Sequence, residues 1–354
     1  MTDLYLHGRS LISALGGDLS AAAASLAGGG VRPARIPLPG GSEWPCFRID
    51  DPQPSWQQRA RTLLCAAIAQ AGVSERRDAP LFIASSSFQV GAIEANESTR
   101  LNDYYCFAEE IAAWLDWRGP VTLVSTACTS SLQALLAAAA HIRAGASEDA
   151  VVLGVELANQ FTLAGFAAMQ LLSPNVSHPL GSDRDGLVLG EAVAVLHLAR
   201  RPARWRLRGG ASLVDGRDPT GARPDTVAEL CRQALASSGL PPGAVDLVKV
   251  QAAGSPYNDS NEVAGLAEVF AALPPLVSLK GMIGHTLGAA GAAELALMLE
   301  CLERGVWPRI DYPLDPEAGA GLARDRPAQV RQMLALILGF GGGYAAVAVE
   351  DRHG

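Results

Sequence analysis

The chain has 354 residues, of which 49% are hydrophobic, so it is long enough to bury a large core in one or two domains. Its formal net charge is −8 and it has no run of lysine or arginine, which excludes the basic footprint of a nucleic-acid-binding protein. No apolar stretch reaches the ~18 residues that a membrane span needs, and the N-terminal segment lacks the pattern of a signal peptide. We therefore expect a cytoplasmic protein with reduced thiols.

Predicted strands and helices alternate through the first half of the chain. The spacing of apolar residues predicts the following elements, in chain order: a strand at 4–13, a helix at 19–29, a helix at 56–72, a strand at 79–87, a helix at 104–117, a strand from 120 into a turn at Cys128, a helix at 131–143, and strands at 149–157 and 190–200.

The second half continues the same alternation. Its predicted elements are a strand near 206–214, a helix at 225–238, a strand at 246–254, a helix at 260–272, a strand–turn–helix unit at 276–305 and a hairpin at 334–350. Strands that alternate with helices indicate a largely parallel sheet with helices on its faces. The glycine-rich segment at 339–343 lacks the GxxxxGK[ST] pattern of a phosphate loop, so a hairpin turn is favoured there.

Two segments resemble each other and suggest a duplicated unit. Residues 121–145 run from a strand through a tight turn with Cys128 into an alanine-rich helix, and residues 276–305 do the same with His285 in the turn. A functional site would then lie where the two halves meet. The alternative is a chance likeness of two alanine-rich helices.

The segment STACTSS at 125–131 places Cys128 between a predicted strand and a predicted helix. A thiol at a helix N-terminus lies near unpaired backbone N–H groups and the positive end of the helix dipole, which favour the thiolate. The same N–H groups are suited to holding the oxyanion that forms when sulfur attacks a thioester. The alternative is a buried cysteine that fills a tight turn.

A second candidate, His285, lies in the segment GHTLGAAGAAE, whose glycines and alanines allow close packing. Lys280 stands five residues before it and Glu294 nine residues after it; Lys249 is the only other lysine. The ensemble favours a buried, charge-compensated site over a hydrogen-bonded core histidine. The charged pair is equally compatible with a structural role in fixing the loop.

A third segment, SDRDGLVLGEA at 182–192, gathers charged residues around glycines. They are Asp183, Arg184, Asp185 and Glu191. We expect a solvated turn with local ion pairs. The six cysteines form neither a CxxC pair nor a Cys/His spacing, so the sequence predicts no metal site.

Taken together, these segments resemble the β-ketoacyl-acyl-carrier-protein synthases, the elongating condensing enzymes of the thiolase superfamily. STACTSS resembles the family's nucleophile motif, and PLGSDRDGLVLGEAVAVL resembles its Asp-Arg-Asp-Gly-Phe-x-x-Gly-Glu segment. LKGMIGHTLGAAGAAE is similar to its Lys…Gly-His-x-x-Gly-Ala-Ala-Gly motif, and LGFGGGYAAVAV to its closing glycine hairpin. The matches span about residues 80–350 in the family's order.

The resemblance implies a five-layered α/β/α/β/α thiolase fold of two related halves, 1–200 with the Cys128 turn and 201–354 with the His285 motif. Family members are usually dimers. Their cysteine accepts an acyl chain from acyl carrier protein, malonyl-carrier protein is decarboxylated, and the resulting carbanion attacks the thioester to add two carbons. Since the substrates are carried on the phosphopantetheine of the carrier protein, no separate cofactor is expected.

By the same resemblance, Cys128 is the nucleophile, and His285 assists decarboxylation or stabilises the thioester oxyanion. Lys280 would tune and orient His285, and Phe340 would be the gate beside the cysteine. The remaining residues with expected roles are Ser255, Gly341 and Gly342 at the substrate, and Glu294, Asp259 and Glu262 in support of the site.

One departure from the family pattern falls where the chemistry takes place. The family's other histidine opens a His-Gly-Thr-Gly-Thr-Pro motif, whereas this chain reads VQAAGSPYNDSNE and has Gln251 at that position. A glutamine amide donates a hydrogen bond to an oxyanion but transfers no proton near neutral pH. Ala253 and Ser255 replace two threonines expected to bind the pantetheine arm, and Gly343 and Tyr344 replace Thr-Asn after the hairpin.

Hypotheses of different classes follow. The chain is either an independently active condensing enzyme with a Cys128–Gln251–His285 site, or a chain-length-factor-like subunit in a heterodimer with a complete ketosynthase of fatty acid, polyketide or polyene assembly. The lost histidine, the changed threonines and a shortened stretch between about 200 and 250 favour the second, whereas the retained cysteine favours the first. We favour the second, with a homodimer expected otherwise. A non-condensing acyltransferase or thioesterase that uses Cys128 is a third hypothesis.

Overall fold

The computed structural model describes residues 3–99 and 103–353. The strands in this part of the chain are β1 (Leu4–Ser13), β2 (Ala34–Pro37), β3 (Glu43–Phe47), β4 (Leu81–Ala84), β5 (Val121–Val124), β6 (Asp149–Glu156), β7 (Leu189–Gly190), β8 (Ala192–Ala199), β9 (Trp205–Val214), β10 (Leu247–Lys249), β11 (Leu276–Val277), β12 (Gln332–Gly339) and β13 (Gly343–Asp351). The helices are α1 (Leu19–Ala27), α2 (Trp56–Gln70), α3 (Val90–Glu94), α4 (Tyr104–Trp114), α5 (Ser130–Arg143), α6 (Gln160–Ala168), α7 (Pro224–Ser238), α8 (Pro256–Ala267), α9 (Lys280–Ile283) and α10 (Ala290–Arg304).

Helix boundaries follow the capping chemistry of the sequence. At the start of α2, the Ser55 hydroxyl accepts the backbone N–H of Gln58. At the end of α10, the C-cap residue Gly305 has the left-handed backbone conformation that glycine favours. α8 differs from the predicted helix at 260–272. It begins at Pro256 because Ser255 supplies the N-cap and proline is well suited to the first helical position.

Ten strands form one mixed sheet, and its order repeats between the two halves of the chain. Each half is a five-stranded run, β5-β4-β6-β8-β1 in the first and β11-β10-β12-β13-β9 in the second. In both runs the three outermost strands are parallel and the other pairings are antiparallel. The halves join where β1 pairs with β9, and Leu4 is opposite Leu207 there.

The helices complete a layered arrangement around these two runs. α5 and α10 lie between them: α5 packs on β6 and β13, and α10 packs on β8 and β12. α2 and α4 cover the outer face of the first run, and α7 with α8 covers that of the second. The predicted five-layered fold of two related halves is confirmed. The central helix α10 has 13 of its 15 residues buried, including Glu294 and Glu300.

Residues 182–192 differ from the solvated turn that their charges suggest. Glu191 has 0% of its surface exposed and forms an ion pair with Arg59 at 2.7 Å. It also accepts the backbone N–H groups of Ile49 and Ala158. Arg184 reaches Asp315, far along the chain, at 2.6 Å. The expectation of local, solvated ion pairs is wrong for these two residues, because their partners come from distant segments.

Two turns at the carboxyl ends of strands lie at the N-terminal ends of the central helices α5 and α10. The turn after β5 leads into α5, and the segment after β11 leads through α9 into α10. Each of them carries one of the candidate catalytic residues. Within the described residues, no helix is both long and apolar enough to cross a lipid bilayer.

Candidate active site

A tight turn between β5 and α5 holds Cys128. Ala127 has a positive φ of 52°, a backbone conformation that costs energy for a residue with a side chain. The Thr129 hydroxyl donates to the carbonyl of Thr126 at 2.7 Å. The Ser130 hydroxyl donates to the carbonyl of Ala127 at 2.6 Å. These bonds fix the turn, and 5% of the cysteine is exposed.

The hairpin turn after β12 lies directly against this cysteine. A Cβ atom on Gly339 would lie 3.3 Å from the Cys128 backbone nitrogen, so a larger residue would crowd the turn. The backbone N–H of Phe340 donates to the sulfur and favours its ionised form. The second half of the chain therefore contributes part of the surroundings of a thiol that belongs to the first half.

The loop before α10 positions His285. Gly284 has a φ of +73°, and a Cβ atom there would lie 2.6 Å from the carbonyl oxygen of Leu189, so the position requires glycine. The backbone N–H of His285 donates to the carbonyl of Val188 at 2.7 Å, and the backbone carbonyl of His285 accepts the N–H of Gly190 at 3.0 Å. These backbone bonds to the segment around β7 fix the position of His285, which is 2% exposed.

The thiol and the imidazole are in contact: His285 Nε2 lies 2.9 Å from Cys128 Sγ. Burial raises the pKa of the Cys128 thiol to about 11, although the Phe340 N–H and the Lys280 ammonium act in the opposite direction. Burial, together with the ammonium groups of Lys280 and Lys249, holds the pKa of His285 well below its usual value of 6.5. At neutral pH the pair is therefore a neutral thiol in contact with a neutral imidazole.

The expectation that the helix N-terminus gives a thiolate is wrong for this resting site. α5 begins at Ser130 with Thr129 as its N-cap, so the sulfur lies outside the first helical turn. Burial in the apolar central layer is the largest influence on the pKa of the thiol, and it favours the neutral form. The thiol must give up its proton as it attacks, and His285 is the base within reach.

Close to the imidazole lies a buried carboxylate with two ammonium partners. Glu294 on α10 accepts from Lys280 Nζ at one oxygen and from Lys249 Nζ at the other. Burial opposes the ionisation of Glu294, but the two ammonium groups lower its pKa below the usual range. The structure brings Lys280 and Glu294 together beside His285 and adds Lys249, to which the sequence interpretation gave no role.

Gln251 begins a turn that two buried carboxylates support. Glu262 accepts the backbone N–H groups of Gln251 and Ala252 at 2.7 and 2.8 Å, and Asp259 accepts the next two at 3.0 Å each. Burial raises the pKa of Glu262 to about 7 and also raises that of Asp259. The side-chain Oε1 of Gln251 has no hydrogen-bond partner among the residues that the structure describes. This amide is available to a ligand.

One narrow cavity of about 60 Å³ joins these groups: Cys128, His285, Gln251 and Phe340 all line it. Phe166 of α6 lines it too and stacks on Phe340, with the ring centroids 5.5 Å apart and the planes 19° from parallel. The two phenyl rings therefore close one side of the space beside the sulfur.

The other predicted residues are divided between the cavity and its surroundings. Three of them also line it: Ser255, Asp259 and Glu262. Gly341 and Gly342 lie in the adjacent turn, with φ of +77° and +71°, and their backbones bond to the segment 215–219. The structure assigns these glycines a part in shaping the turn, and their expected role at the substrate stays a prediction.

Sequence reasoning missed two aromatic residues that line the cavity. Tyr344 was noted only as a departure from the family motif, yet its hydroxyl accepts the N–H of Arg223 at 3.0 Å and donates to the carbonyl of Gly221 at 3.2 Å. It thereby holds the segment 220–222 against the cavity. Phe166 gave no signal, because it lies in a helix that the sequence pattern did not predict.

The arrangement is suited to acyl transfer onto sulfur. As Sγ attacks a thioester carbonyl carbon, its proton passes to His285 Nε2 and a new C–S bond forms. The bond to the departing thiol's sulfur then breaks, and that sulfur takes the proton back from the imidazolium. Gln251 can donate a hydrogen bond to a developing oxyanion, but it cannot relay a proton.

Sequence comparison gives two adjacent family matches. The N-terminal domain of the beta-ketoacyl synthases matches residues 58–203, and their C-terminal domain matches residues 206–311, so together they cover more than half of the chain. The oxytetracycline polyketide putative beta-ketoacyl synthase 1 of Streptomyces rimosus is 32% identical over 71% of this chain. The tetracenomycin polyketide synthase ketoacyl synthase alpha subunit of Streptomyces glaucescens is 33% identical over 72%. The matches span 65% and 66% of those two proteins, slightly less than two thirds of their length.

Solved structures show the same fold over almost the whole chain. A ketosynthase in complex with its chain length factor from Xenorhabdus doucetiae has a TM-score of 0.84 at 24% identity, covering 99% of this chain and 98% of that one. The ishigamide ketosynthase/chain length factor has a TM-score of 0.83 at 22% identity, covering 99% of both chains. A beta-ketoacyl synthase from Burkholderia phymatum has a TM-score of 0.82 at 22% identity, covering 99% and 100%. The likeness confirms the predicted thiolase fold.

A neutral resting thiol predicts slow, strongly pH-dependent alkylation of Cys128. We expect its rate with iodoacetamide to rise about tenfold per pH unit between pH 7 and 9, since only the thiolate reacts and the pKa is about 11. Peptide mass spectrometry measures the rate, with the exposed Cys65 as the internal control for reagent. Fast alkylation that is independent of pH in this range would instead indicate a thiolate–imidazolium pair.

The lowered pKa of His285 predicts acid destabilisation. Below pH 6.5 the unfolded chain binds a proton at this residue that the folded chain does not, so the free energy of unfolding falls by about 1.4 kcal/mol per pH unit from this group. Urea unfolding between pH 5 and 7.5 should show this extra slope in the wild type relative to His285→Gln. Parallel curves for the two proteins would contradict the assignment.

Proposed function

The chain belongs to the β-ketoacyl synthase family, and we propose that within it the chain acts as a variant, chain-length-factor-like subunit paired with a complete ketosynthase. One observation carries this proposal: the amide of Gln251 lines the same cavity as Cys128 and His285. The assembly would make fatty acid, polyketide or polyene chains on acyl carrier protein. Its substrates would be carried on phosphopantetheine, with no separate cofactor.

The chemistry of decarboxylation supports the proposal. Loss of CO2 from malonyl-carrier protein leaves negative charge on the thioester enolate, which the family's two histidines would stabilise. With Gln251 in place of one of them, the site keeps a hydrogen-bond donor but has a single side chain, His285, positioned to exchange a proton with sulfur. Loss of one oxyanion donor costs on the order of 10²–10³ in rate, and the amide offsets part of that loss.

The size of the cavity also supports a role other than full elongation. A space of about 60 Å³ has room for a few water molecules and not for a growing acyl chain. The stacked rings of Phe166 and Phe340 occupy one side of it. An acyl group longer than a few carbons would have to displace this ring pair.

The free edge of the sheet suggests where a partner binds. β5 is the last strand of the described sheet, and its Val121, Leu123 and Val124 are only half-buried. A groove beside it includes Tyr105, which is 84% exposed. An edge strand has unpaired backbone N–H and C=O groups, so with apolar side chains beside it the strand is suited to pairing with a strand of another chain. We propose that the occupant is the corresponding edge of a complete ketosynthase.

Similar proteins add support for a two-chain assembly. Two of the structural relatives described above are a ketosynthase with a chain length factor, and one sequence relative is a ketoacyl synthase alpha subunit. A cytoplasmic location and an acyl carrier protein partner remain parts of the proposal.

Ser255, at the cavity wall, is the hydroxyl most directly placed for the pantetheine arm.

A second candidate function is acyl transfer without condensation. It is favoured by the intact contact between Cys128 Sγ and His285 Nε2. In that case the chain would take an acyl group from carrier protein onto Cys128 and pass it to a second acceptor, by the proton exchange described for the thiol–imidazole pair. Neither step needs the histidine that Gln251 replaces.

Condensation assays with and without a partner distinguish these functions. We expect the chain alone to show no two-carbon extension of an acyl primer with malonyl-carrier protein, and a heterodimer with a complete ketosynthase from the same source to be active. Cys128→Ala in this chain should leave the activity of the heterodimer within about twofold, because the partner supplies the nucleophile. Leu123→Lys should weaken the heterodimer in size-exclusion chromatography, whereas Val214→Lys, at a site that is 79% exposed on β9, should not.

Extension by the chain alone at the rate of a complete ketosynthase would refute the partner-subunit role. Loss of heterodimer activity in Cys128→Ala would refute it as well. An acyl adduct on Cys128 that transfers to a second thiol without extension would instead establish the acyltransferase.

The ring pair predicts a size limit that one substitution removes. Phe166→Ala opens space beside Cys128, so the variant should accept an octanoyl group from octanoyl-carrier protein at least tenfold faster than the wild type, while acetyl transfer changes little. Intact-protein mass spectrometry measures both adducts. Phe161→Ala is the matched control, because Phe161 lies on the same helix but is 74% exposed. Equal octanoyl rates in all three proteins would show that the rings do not limit access.

A further inference from the structure

The two lysines of the chain share one carboxylate. Lys249 is the last residue of β10 and Lys280 the first of α9, and they are 1% and 0% exposed. Each ammonium donates to a different oxygen of Glu294, which is also fully buried. In a chain whose other basic residues are all arginine, both lysines are therefore committed to the same buried partner.

Such an arrangement is electrostatically expensive. A buried charge costs several kcal/mol unless a partner compensates it, and one carboxylate compensates only one of two ammonium groups. Lys280 and Glu294 already form a complete pair, so a simple structural role needs no second lysine. With Glu294 ionised, these three residues carry one net positive charge, because burial lowers the pKa of Lys249 only to about 8 and its ammonium form predominates at pH 7. Glu262 attracts the same ammonium and offsets part of this charge.

The excess charge lies next to the thiol–imidazole site. Lys249 is the last residue of β10, and Gln251, two residues further along the chain, lines the cavity. Lys280 is the first residue of the short helix α9, and the C-cap of that helix, Gly284, directly precedes His285. The ammonium groups of both lysines disfavour protonation of the imidazole.

We propose that Lys249 is a second positioning residue of this site: by sharing Glu294 with Lys280, it fixes that carboxylate and places a net positive charge beside His285. The imidazole is then held in its neutral form, able to take the Cys128 proton during attack. The same charge lies near the cavity where an oxyanion would develop. The part of the inference that concerns acyl chemistry rests on the proposed function, and the placement of charge does not.

Other charged and titratable groups around the cavity and the cluster must be considered. They are Glu262 and Asp259 of α8, Glu294 of α10, Lys280 of α9, Cys128 before α5, and Glu156 of β6, which raises the pKa of Cys128. Glu262 interacts favourably with the Lys249 ammonium, whereas Cys128 is a neutral thiol at pH 7. Removal of Lys249 leaves Lys280 and Glu294 as a one-to-one pair, so the fold should tolerate the change.

Direct titration of the histidines tests the proposal. The purified full-length chain is labelled with ¹⁵N-histidine, and its imidazole resonances are followed by NMR from pH 5 to 9, with His285→Gln to assign the resonance of interest. We expect His285 to stay neutral throughout in the wild type. In Lys249→Met its pKa should move upward by about one unit or more, whereas Lys249→Arg, which keeps the charge, should resemble the wild type.

The outcomes separate cleanly. An unchanged His285 titration in a folded Lys249→Met protein would overturn the proposal, and so would a wild-type His285 that titrates near 6.5. Where Lys249→Met does not fold, Lys249→Gln, which also removes the charge, is titrated in its place, because burial alone also lowers the pKa of His285 in the wild type. Because the experiment uses neither substrate nor partner chain, its result is independent of whether the chain condenses, transfers acyl groups or serves as a partner subunit.

Discussion

The contact between Cys128 Sγ and His285 Nε2 is the interaction on which the site depends. The sulfur comes from a turn of the first half of the chain, and the imidazole from the corresponding turn of the second half. Their distance is therefore set by how the two five-stranded runs pack on α5 and α10. A shift of that central layer would separate them, which explains why so many glycines and alanines, including Gly339 and Gly284, lie at close backbone approaches there.

Burial has a second consequence, since it decides which charges the site holds. The thiol and the imidazole are both neutral because the central layer excludes water. Glu294 and its two lysines form a charged cluster beside this pair, whereas Glu262, which supports the Gln251 turn, has a pKa raised to about 7. The site thus combines a neutral reacting pair with a fixed positive neighbour. This combination suits transfer of an acyl group to sulfur better than it suits decarboxylation, for which proton exchange from a second ring is absent.

Much of the fold could be predicted because periodicity is a local property. The bounds of β1, α2 and α5 agree with the sequence pattern to within two residues, and the repeated strand–turn–helix units indicated two related halves. Helix α6 was missed because its apolar residues lack a clear helical period. α8 was placed too late because its N-cap, Ser255, was read as part of a binding motif.

The site could be predicted only in part. The motifs identified Cys128, His285, Lys280 and Gln251 as parts of one site through the family resemblance, which depends on residue type and order. The protonation state of the thiol could not be inferred, since it depends on burial between two halves that are distant in sequence. Long-range partners were equally hidden: the Arg59–Glu191 ion pair joins residues 132 positions apart. The second lysine on Glu294 required coordinates for the same reason.

A crystal structure of the chain at neutral pH tests the central claim most directly, through the separation of one sulfur and one nitrogen atom. We expect Cys128 Sγ and His285 Nε2 within hydrogen-bond distance, with Gln251 and the stacked rings of Phe166 and Phe340 around the same cavity. Two side chains held apart in separate cavities, with no passage between them, would contradict the assignment of a joint acyl-accepting site.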